Sequence, residues 1–208
     1  MLARASIIGG GLAAIVIVLL ASALYRSPIV TQVDIAKEQP IPFSHLRHVG
    51  ANGIDCRYCH TTVEKSGVAN VPPTETCMTC HSQVLVDAPM LQPVQESWKT
   101  GKPIEWNRVY DLPDFVYFDH SIHVAKGVGC TTCHGNIQEM PLTRKVPTLH
   151  MSWCLQCHRA PEKFIRPKDK VFDVEWKAPH DQLEAGKALV EEYKINVQQL
   201  TNCSVCHR

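Results

Sequence analysis

The chain has 208 residues, with 21 Lys and Arg against 20 Asp and Glu and a formal net charge of +1. No basic block occurs and no basic run interleaves with aromatics, which excludes a nucleic-acid partner. Aromatics make up only 7% while Pro numbers 14, Cys 10 and His 11, so an ordinary aromatic-rich core is excluded as well.

The first predicted element is apolar. Residues 7–25, IIGGGLAAIVIVLLASALY, carry no charge and lie between Arg4 and Arg26. Nineteen residues in helix rise about 28 Å, close to the hydrocarbon thickness of a bilayer. A cleaved signal peptide competes with this reading, because Ala21-Ser22-Ala23 fits an A-x-A cleavage site. The apolar run is longer than a signal peptide needs, so we expect an uncleaved single-pass anchor over 1–26. Arg4 gives weak positive-inside evidence.

Beyond the anchor every cysteine falls in the same pattern, C-x-x-C-H. The five copies are Cys56–His60 (CRYCH), Cys77–His81 (CMTCH), Cys130–His134 (CTTCH), Cys154–His158 (CLQCH) and Cys203–His207 (CSVCH). Two thiols at this spacing add across the vinyl groups of a haem, and the histidine ligates its iron. Zinc would use four of the pairs in two Cys₄ sites, stranding the fifth pair and leaving five adjacent histidines to coincidence. A disulfide framework gives no reason for the histidines. The expectation is five covalently bound haems c on Cys56/Cys59, Cys77/Cys80, Cys130/Cys133, Cys154/Cys157 and Cys203/Cys206. Proximal ligands are then His60, His81, His134, His158 and His207. Such attachment belongs outside the cytoplasm, which places the bulk of the chain on the periplasmic side of the cytoplasmic membrane. About 180 residues shared by five haems leave roughly 36 each, too few for a separate core around every one. We therefore expect a mostly α, loop-rich fold with few elements, nucleated by haem. Ten propionates would shift the net charge to about −9.

An internal repeat organises the chain. FSHLRHVGANGIDCRYCH (43–60) and FDHSIHVAKGVGCTTCH (118–134) share F-x-H-x-x-H-V, a Gly-containing spacer and C-x-x-C-H, and each is followed by another C-x-x-C-H. The expected organisation is a first two-haem module over 43–82, a Pro-bearing connector over 83–117, a second two-haem module over 118–159, and a tail over 160–208 with the fifth haem. Within the tail, DQLEAGKALVEEYKINVQQL places Leu183, Leu189, Val190 and Tyr193 at near-helical spacing, which predicts a helix packed on haem. Gly186 weakens that helix.

Histidines at i and i+3 diverge by about 60° around a helical turn, so one turn can serve two haems. Here the chain resembles the class III multihaem cytochromes c, in which F-x-H-x-x-H precedes C-x-x-C-H. The resemblance implies that His45 ligates the haem on Cys56/Cys59 and His48 that on Cys77/Cys80. It likewise implies His120 for Cys130/Cys133 and His123 for Cys154/Cys157. For the fifth haem Met140, His150, Met151 and His180 remain open. In three-haem members of that family a ligand shortly before one C-x-x-C-H serves the next haem, which suits His150 or Met151. Histidine would give a lower potential and methionine a higher one. His180, in KAPHDQ, reads as a surface residue.

With every iron six-coordinate, no position is left for a substrate, and the expected role is electron transfer without catalysis. More specific are VPPTETCMTCHS, IEWNRVYDLPD and MSWCLQCHR in this order behind one apolar segment. These resemble the pentahaem subunit of alternative complex III from about residue 7 to 208. The resemblance implies a quinol-oxidising respiratory complex that delivers electrons to a cytochrome c or a terminal oxidase. It also implies neighbouring iron–sulfur, quinol-binding membrane and monohaem cytochrome subunits, and favours Met151 as the fifth distal ligand. A similar multihaem subunit in a quinone-reductase complex, a stand-alone membrane quinol dehydrogenase feeding a periplasmic reductase, and a catalytic reductase with an open haem are the alternatives.

Overall fold

The computed structural model describes residues 2–207; Met1 and Arg208, which bound the expected anchor and tail, lie outside the described residues. Among the described residues there is no strand, only isolated bridges between loops. The protein is mostly helical and loop-rich.

Helix α1 (Leu2–Arg26) has no buried residue, as a helix built from Leu, Ile, Val, Ala and Gly on all sides has no polar face to turn outward. Among the described residues it is the one helix long and apolar enough to cross a membrane. A short helix α2 (Pro28–Thr31) follows, with Pro28 at its first position. The chain then bridges Val33 to Lys145 and Ala36 to Arg144, tying the exit of α1 to a distant segment just before the fourth C-x-x-C-H.

The two repeats build their histidine turns differently. In the first, residues Leu46–Ala51 form a π-helical turn, followed by α3 (Cys56–Cys59) and α4 (Thr74–His81). In the second, α6 (His120–Ala125) is α-helical and leads into α7 (Cys130–His134), with α8 (Met151–Arg159) beyond. Each turn ends on a left-handed glycine, Gly53 at φ +65° and Gly127 at φ +79°. The second is a Schellman stop: Val128 N–H donates to the His123 carbonyl at 2.9 Å and Gly127 N–H to that of Val124 at 3.0 Å. In the first, Ile54 N–H reaches the His48 carbonyl at 3.0 Å, one residue wider.

The repeats pack through each other. The first histidine turn docks on the segment after α7: Leu46 N–H donates to the Met140 carbonyl at 3.0 Å, and Gly50 lies so close to the Gln138 carbonyl that a Cβ would overlap it. Reciprocally, His120 and Ser121 N–H groups donate to the carbonyls of Gly67 and Ser66, in the segment after α3.

Connector 83–117 contains helix α5 (Gln92–Thr100), with Pro93 in its first turn and Gly101 at φ +72° after its last residue. Ile41, Leu91 and Val94 form a small apolar cluster there, against Cys77 and Met78 of α4 and against Ile104 and Trp106. In the tail, α9 (Gln182–Glu192) is shorter than the sequence pattern suggests. Leu183 is 53% exposed, and it is Gly186 that is buried. A side chain at Gly186 would overlap the Glu162 carbonyl, so the glycine permits α9 to sit on the 3₁₀ turn Pro161–Lys163. Helix α10 (Cys203–Cys206) ends the described chain. Only nine apolar residues are buried among those described, too little to offset the ordering of so many loop residues.

Candidate haem-binding sites

Each C-x-x-C sits on one helical turn, in α3, α4, α7, α8 and α10, which sets both thiols on the same side of that turn. All ten cysteines are free thiols. Their surroundings are not uniform: Cys80 and Cys203 are exposed, whereas the other eight cysteines are half-buried. The sequence treats Cys77 and Cys80 as an equivalent pair, and the fold does not. Cys77 packs against the Ile41–Leu91–Val94 cluster, while Cys80, one turn on, is exposed and lies 3.9 Å from the Thr79 hydroxyl. The protein atoms alone therefore leave the second of these two expected attachment points uncovered. Among the described residues no three His, Cys, Asp or Glu side chains converge, as a tetrahedral zinc site requires.

What the fold does bring together is pairs of histidines. The rings of His48 and His81 lie 6.1 Å apart, His120 and His134 6.5 Å, and His123 and His158 6.2 Å. An imidazole–metal bond is about 2 Å long, so two rings on opposite sides of one metal stand about 6 Å apart between centroids. His45 shares its surroundings with His60 and His48; burial first, then those two rings, pushes its pKa down to about 4. Burial, followed by His120, His60 and His45, likewise pushes His134 down to about 4. A neutral imidazole is the form that binds a metal.

The phenylalanine that opens each motif wedges between its two histidines. Phe43 stacks on His48 at 4.4 Å and meets His45 edge-on at 4.9 Å. Phe118 repeats this with His123 at 4.6 Å and His120 at 4.7 Å. The next residue caps the turn. Asp119 Oδ1 accepts from the N–H groups of Ser121 and Ile122, and Ser44 Oγ accepts from Arg47 N–H. The sequence reading passed over both caps, although Ser or Asp ahead of a helical turn is the signal that finds them.

A second regularity fixes the tautomer. The Nδ1 of His48, His60, His81, His120, His123, His158 and His207 each donates to a backbone carbonyl, of Ser44, Asn70, Val84, Gly67, Asp119, Leu200 and Phe115 respectively. His45 Nδ1 is hydrogen-bonded to Thr143 Oγ1 at 3.0 Å. A carbonyl only accepts, so the proton sits on Nδ1 and the Nε2 lone pair is left for a metal. His134 packs instead under Tyr110, ring centroids 4.5 Å apart. Tyr110 itself hydrogen-bonds the carbonyls of Cys133 and Arg144, and no local sequence signal marks it. Among the described residues neither His150 nor His180 has an Nδ1 partner.

The five motifs form a run of neighbours. Tyr58 of the first hydrogen-bonds Thr79 of the second at 2.7 Å. The Cys56 thiol contacts Cys130, and that contact, with burial, pushes the Cys130 thiol up. The third and fourth motifs share the α6 turn, through His120 with His134 and His123 with His158, and His158 Nδ1 donates to the Leu200 carbonyl shortly before the fifth. The order in space is thus second, first, third, fourth, fifth. The two exposed thiols, Cys80 and Cys203, belong to the two ends of that run. Arg166, 4% exposed, lies over Gly129 beside the third motif. It donates to Thr131 and Thr132 and to the carbonyls of Lys170 and Asp173, while its buried Nε finds no acceptor. An orphaned buried N–H costs free energy. A propionate of a haem held at the third motif would supply such an acceptor, so this residue set fits the group.

The fifth motif is less complete. Tyr117 N–H donates to the Cys206 carbonyl at 2.8 Å, and Phe115 is the aromatic neighbour of His207 at 5.8 Å. Met151 is 63% exposed at the start of α8, His180 is exposed, and Met140 is 2% exposed among protein atoms. His150 stacks on Tyr25 of α1 at 5.0 Å. Among the described residues no histidine faces His207 as His48 faces His81.

Residues 116–208 match the family of cytochrome c7 and related cytochrome c. Over 99 residues the chain is 41% identical to the menaquinone reductase, multihaem cytochrome c subunit, of Nitratidesulfovibrio vulgaris. That match covers 47% of this chain and 46% of the relative, so it spans less than half the length of the protein it resembles. The second half of the chain is thus similar in sequence to cytochrome c7.

Proposed function

We propose that this protein is a membrane-anchored electron-transfer subunit with five haems c and no substrate chemistry of its own. The observation that carries the reading is the set of three histidine pairs 6.1–6.5 Å apart, each joining one histidine of an F-x-H-x-x-H turn to one C-x-x-C-H. In this reading His45 pairs with His60, His48 with His81, His120 with His134 and His123 with His158, and Met151 completes the site of His207. The ten cysteines hold the groups covalently, and at Cys80 and Cys203 the bound group itself would supply the missing cover. Bound haem supplies one-electron chemistry at a potential set by ligands and burial. The chain's part is to hold neutral imidazoles by their Nδ1 bonds, set their planes with Phe43 and Phe118, and pack the five sites as neighbours.

The organisation proposed is an anchor over 1–26, modules over 43–82 and 118–159 joined by 83–117, and a tail over 160–208, facing the periplasm. The finer reading is a subunit of alternative complex III, with iron–sulfur, quinol-binding membrane and monohaem cytochrome partners. It rests on the signatures from VPPTETCMTCHS to MSWCLQCHR. A second reading, a subunit of a quinone-reducing complex, is favoured by the similarity to the N. vulgaris subunit.

Purification of the complex from native membranes, with identification of each subunit, tests the assignment. Quinol:cytochrome c activity in the assembly supports the first reading, and quinone reduction by a reduced cytochrome supports the second. The isolated subunit should carry the mass of five haems, show low-spin iron throughout, and oxidise no quinol by itself. High-spin haem with turnover of a small oxidant overturns the carrier role.

A further inference from the structure

The exit of α1 is fastened to the fourth motif rather than to the first, although the first is nearer in sequence. Tyr25, in the last turn of α1, stacks on His150 with ring centroids 5.0 Å apart and planes 15° apart. Asp34 N–H donates to the Lys145 carbonyl at 2.8 Å, and Arg144 pairs with the Asp34 carboxylate at 3.3 Å. Tyr25, Val33 with Asp34, and Ala36 thus meet His150, Lys145 and Arg144 in turn along the exit. His150 directly precedes α8, and its carbonyl accepts from Cys154 N–H. One helical turn, about 5.4 Å, therefore separates the residue touching α1 from the first thiol of the fourth motif.

Between Arg26 and the Asp34–Arg144 pair, this junction exposes apolar side chains. Ile29 is 74% exposed and Val30 48% exposed on α2, Tyr25 is exposed in the last turn of α1, and Val146 is exposed on the facing segment. The strip continues the surface of α1, which buries none of its residues, and an aromatic residue followed by Arg26 ends the apolar run as membrane-boundary residues do.

We propose that residues 25–36 and the facing segment 144–150 lie on the lipid surface, so that the fourth C-x-x-C-H is the one held next to the bilayer. This rests on the proposed anchor and deepens the proposed function: the fourth motif, one place in from the fifth, is the membrane-proximal site, and the second motif is the end of the run remote from the membrane. The occupant is lipid because the strip is continuous with a helix long and apolar enough to span a bilayer.

The experiment is mass-spectrometric footprinting of the full holoprotein in lipid nanodiscs, with a lipid-soluble photoactivated carbene and with hydroxyl radicals from the water phase. Tyr25, Ile29, Val30 and Val146 should take the carbene and resist the radicals. Val84, Val86 and Trp98, exposed at the second-motif end, should do the reverse. Radical labelling of Val146 at the level of Trp98, with Ile15 still carbene-labelled, overturns the docking while the anchor stands. Radical labelling of Ile15, or its absence from the mature chain, overturns the anchor and the docking with it. If the strip resists both reagents in the assembled native complex, a partner subunit covers it and the lipid assignment is wrong.

Discussion

The two histidine turns begin alike and end alike, yet one contains a residue more. From Phe43 to Cys56 is thirteen steps, from Phe118 to Cys130 twelve. The first turn absorbs the extra residue by widening into a π turn, so that the His48 carbonyl pairs with Ile54 where the His123 carbonyl pairs with Val128. What bears on the second imidazole of each turn is nonetheless the same: the Phe wedge, the Nδ1 bond to the capping residue's carbonyl, and the left-handed glycine. The insertion sits on the far side, where the wider turn presses Gly50 against Gln138. The lesson is that the fold protects ring orientation and lets the backbone beyond it vary.

The largest expected effects come from removing a paired histidine in each turn. His48→Ala should strip the second motif's site of its distal ligand, and His123→Ala the fourth's, each converting about one-fifth of the haem signal from low to high spin. Electron paramagnetic resonance of the purified holoproteins reads this. Perturbation of the first site by His48→Ala, in place of the second, would break the equivalence of the two turns.

Next come the two glycines, alike in φ and unlike in surroundings. A Cβ on Gly127 would lie 2.5 Å from the Arg166 carbonyl and 2.8 Å from the Tyr193 ring, whereas one on Gly53 meets nothing within 4 Å. Gly53→Ala should cost about 1 kcal/mol for its left-handed backbone. Gly127→Ala adds an overpacking cost of about 1–3 kcal/mol. Denaturant unfolding of the holoproteins, followed by the loss of low-spin absorbance, should therefore separate them clearly. Equal midpoints would mean that the tail does not clamp the second turn.

Much of this architecture was legible in the sequence. The apolar run that becomes α1 is visible without context, because a helix with no polar face needs none. The sparse secondary structure was legible from low aromatic content and many prolines. For the histidines, the repeat pointed to shared turns, and Phe43 and Phe118 were visible as letters but not as wedges. The C-x-x-C-H pattern reads alike at all five copies and gives no sign that Cys80 is exposed while Cys77 is packed, since burial depends on what the connector lays against α4. Helix α5 escaped notice although Pro93 and Gly101 punctuate it, because the prolines around it read as connector. Contacts across long separations left no local mark: Tyr110 on His134, Arg166 over Gly129, and Tyr25 on His150 each require the fold. Gly186 shows the converse, since propensity alone reads it as a weakness where packing on the Glu162 carbonyl makes it a requirement.

The smallest effects, and the sharpest contrast between the repeats, should come from the caps. Ser44 offers one hydroxyl acceptor at 3.3 Å from Arg47 N–H, so Ser44→Ala should cost about 0.5 kcal/mol. Asp119 accepts from Ser121 N–H at 2.8 Å and from the Ser121 hydroxyl at 2.7 Å, with Ile122 N–H at 3.4 Å, and Asp119→Ala should cost about 1–2 kcal/mol. Only the second repeat's cap titrates. The hydrogen bond from the Ser121 side chain, reinforced by the backbone donors, holds the Asp119 carboxyl below the ordinary value of 3.8. A carboxylate depressed on folding contributes its full stabilisation above that ordinary value and loses it as pH falls through the lower, folded one. The difference between wild type and Asp119→Ala should thus be constant near neutral pH and shrink below pH 3.8, while the Ser44→Ala difference stays flat. Parallel denaturant titrations from pH 7 downward make the comparison. A Ser44→Ala penalty that falls with acid as steeply as that of Asp119→Ala would show that some group other than the Asp119 carboxylate sets the pH dependence of these turns.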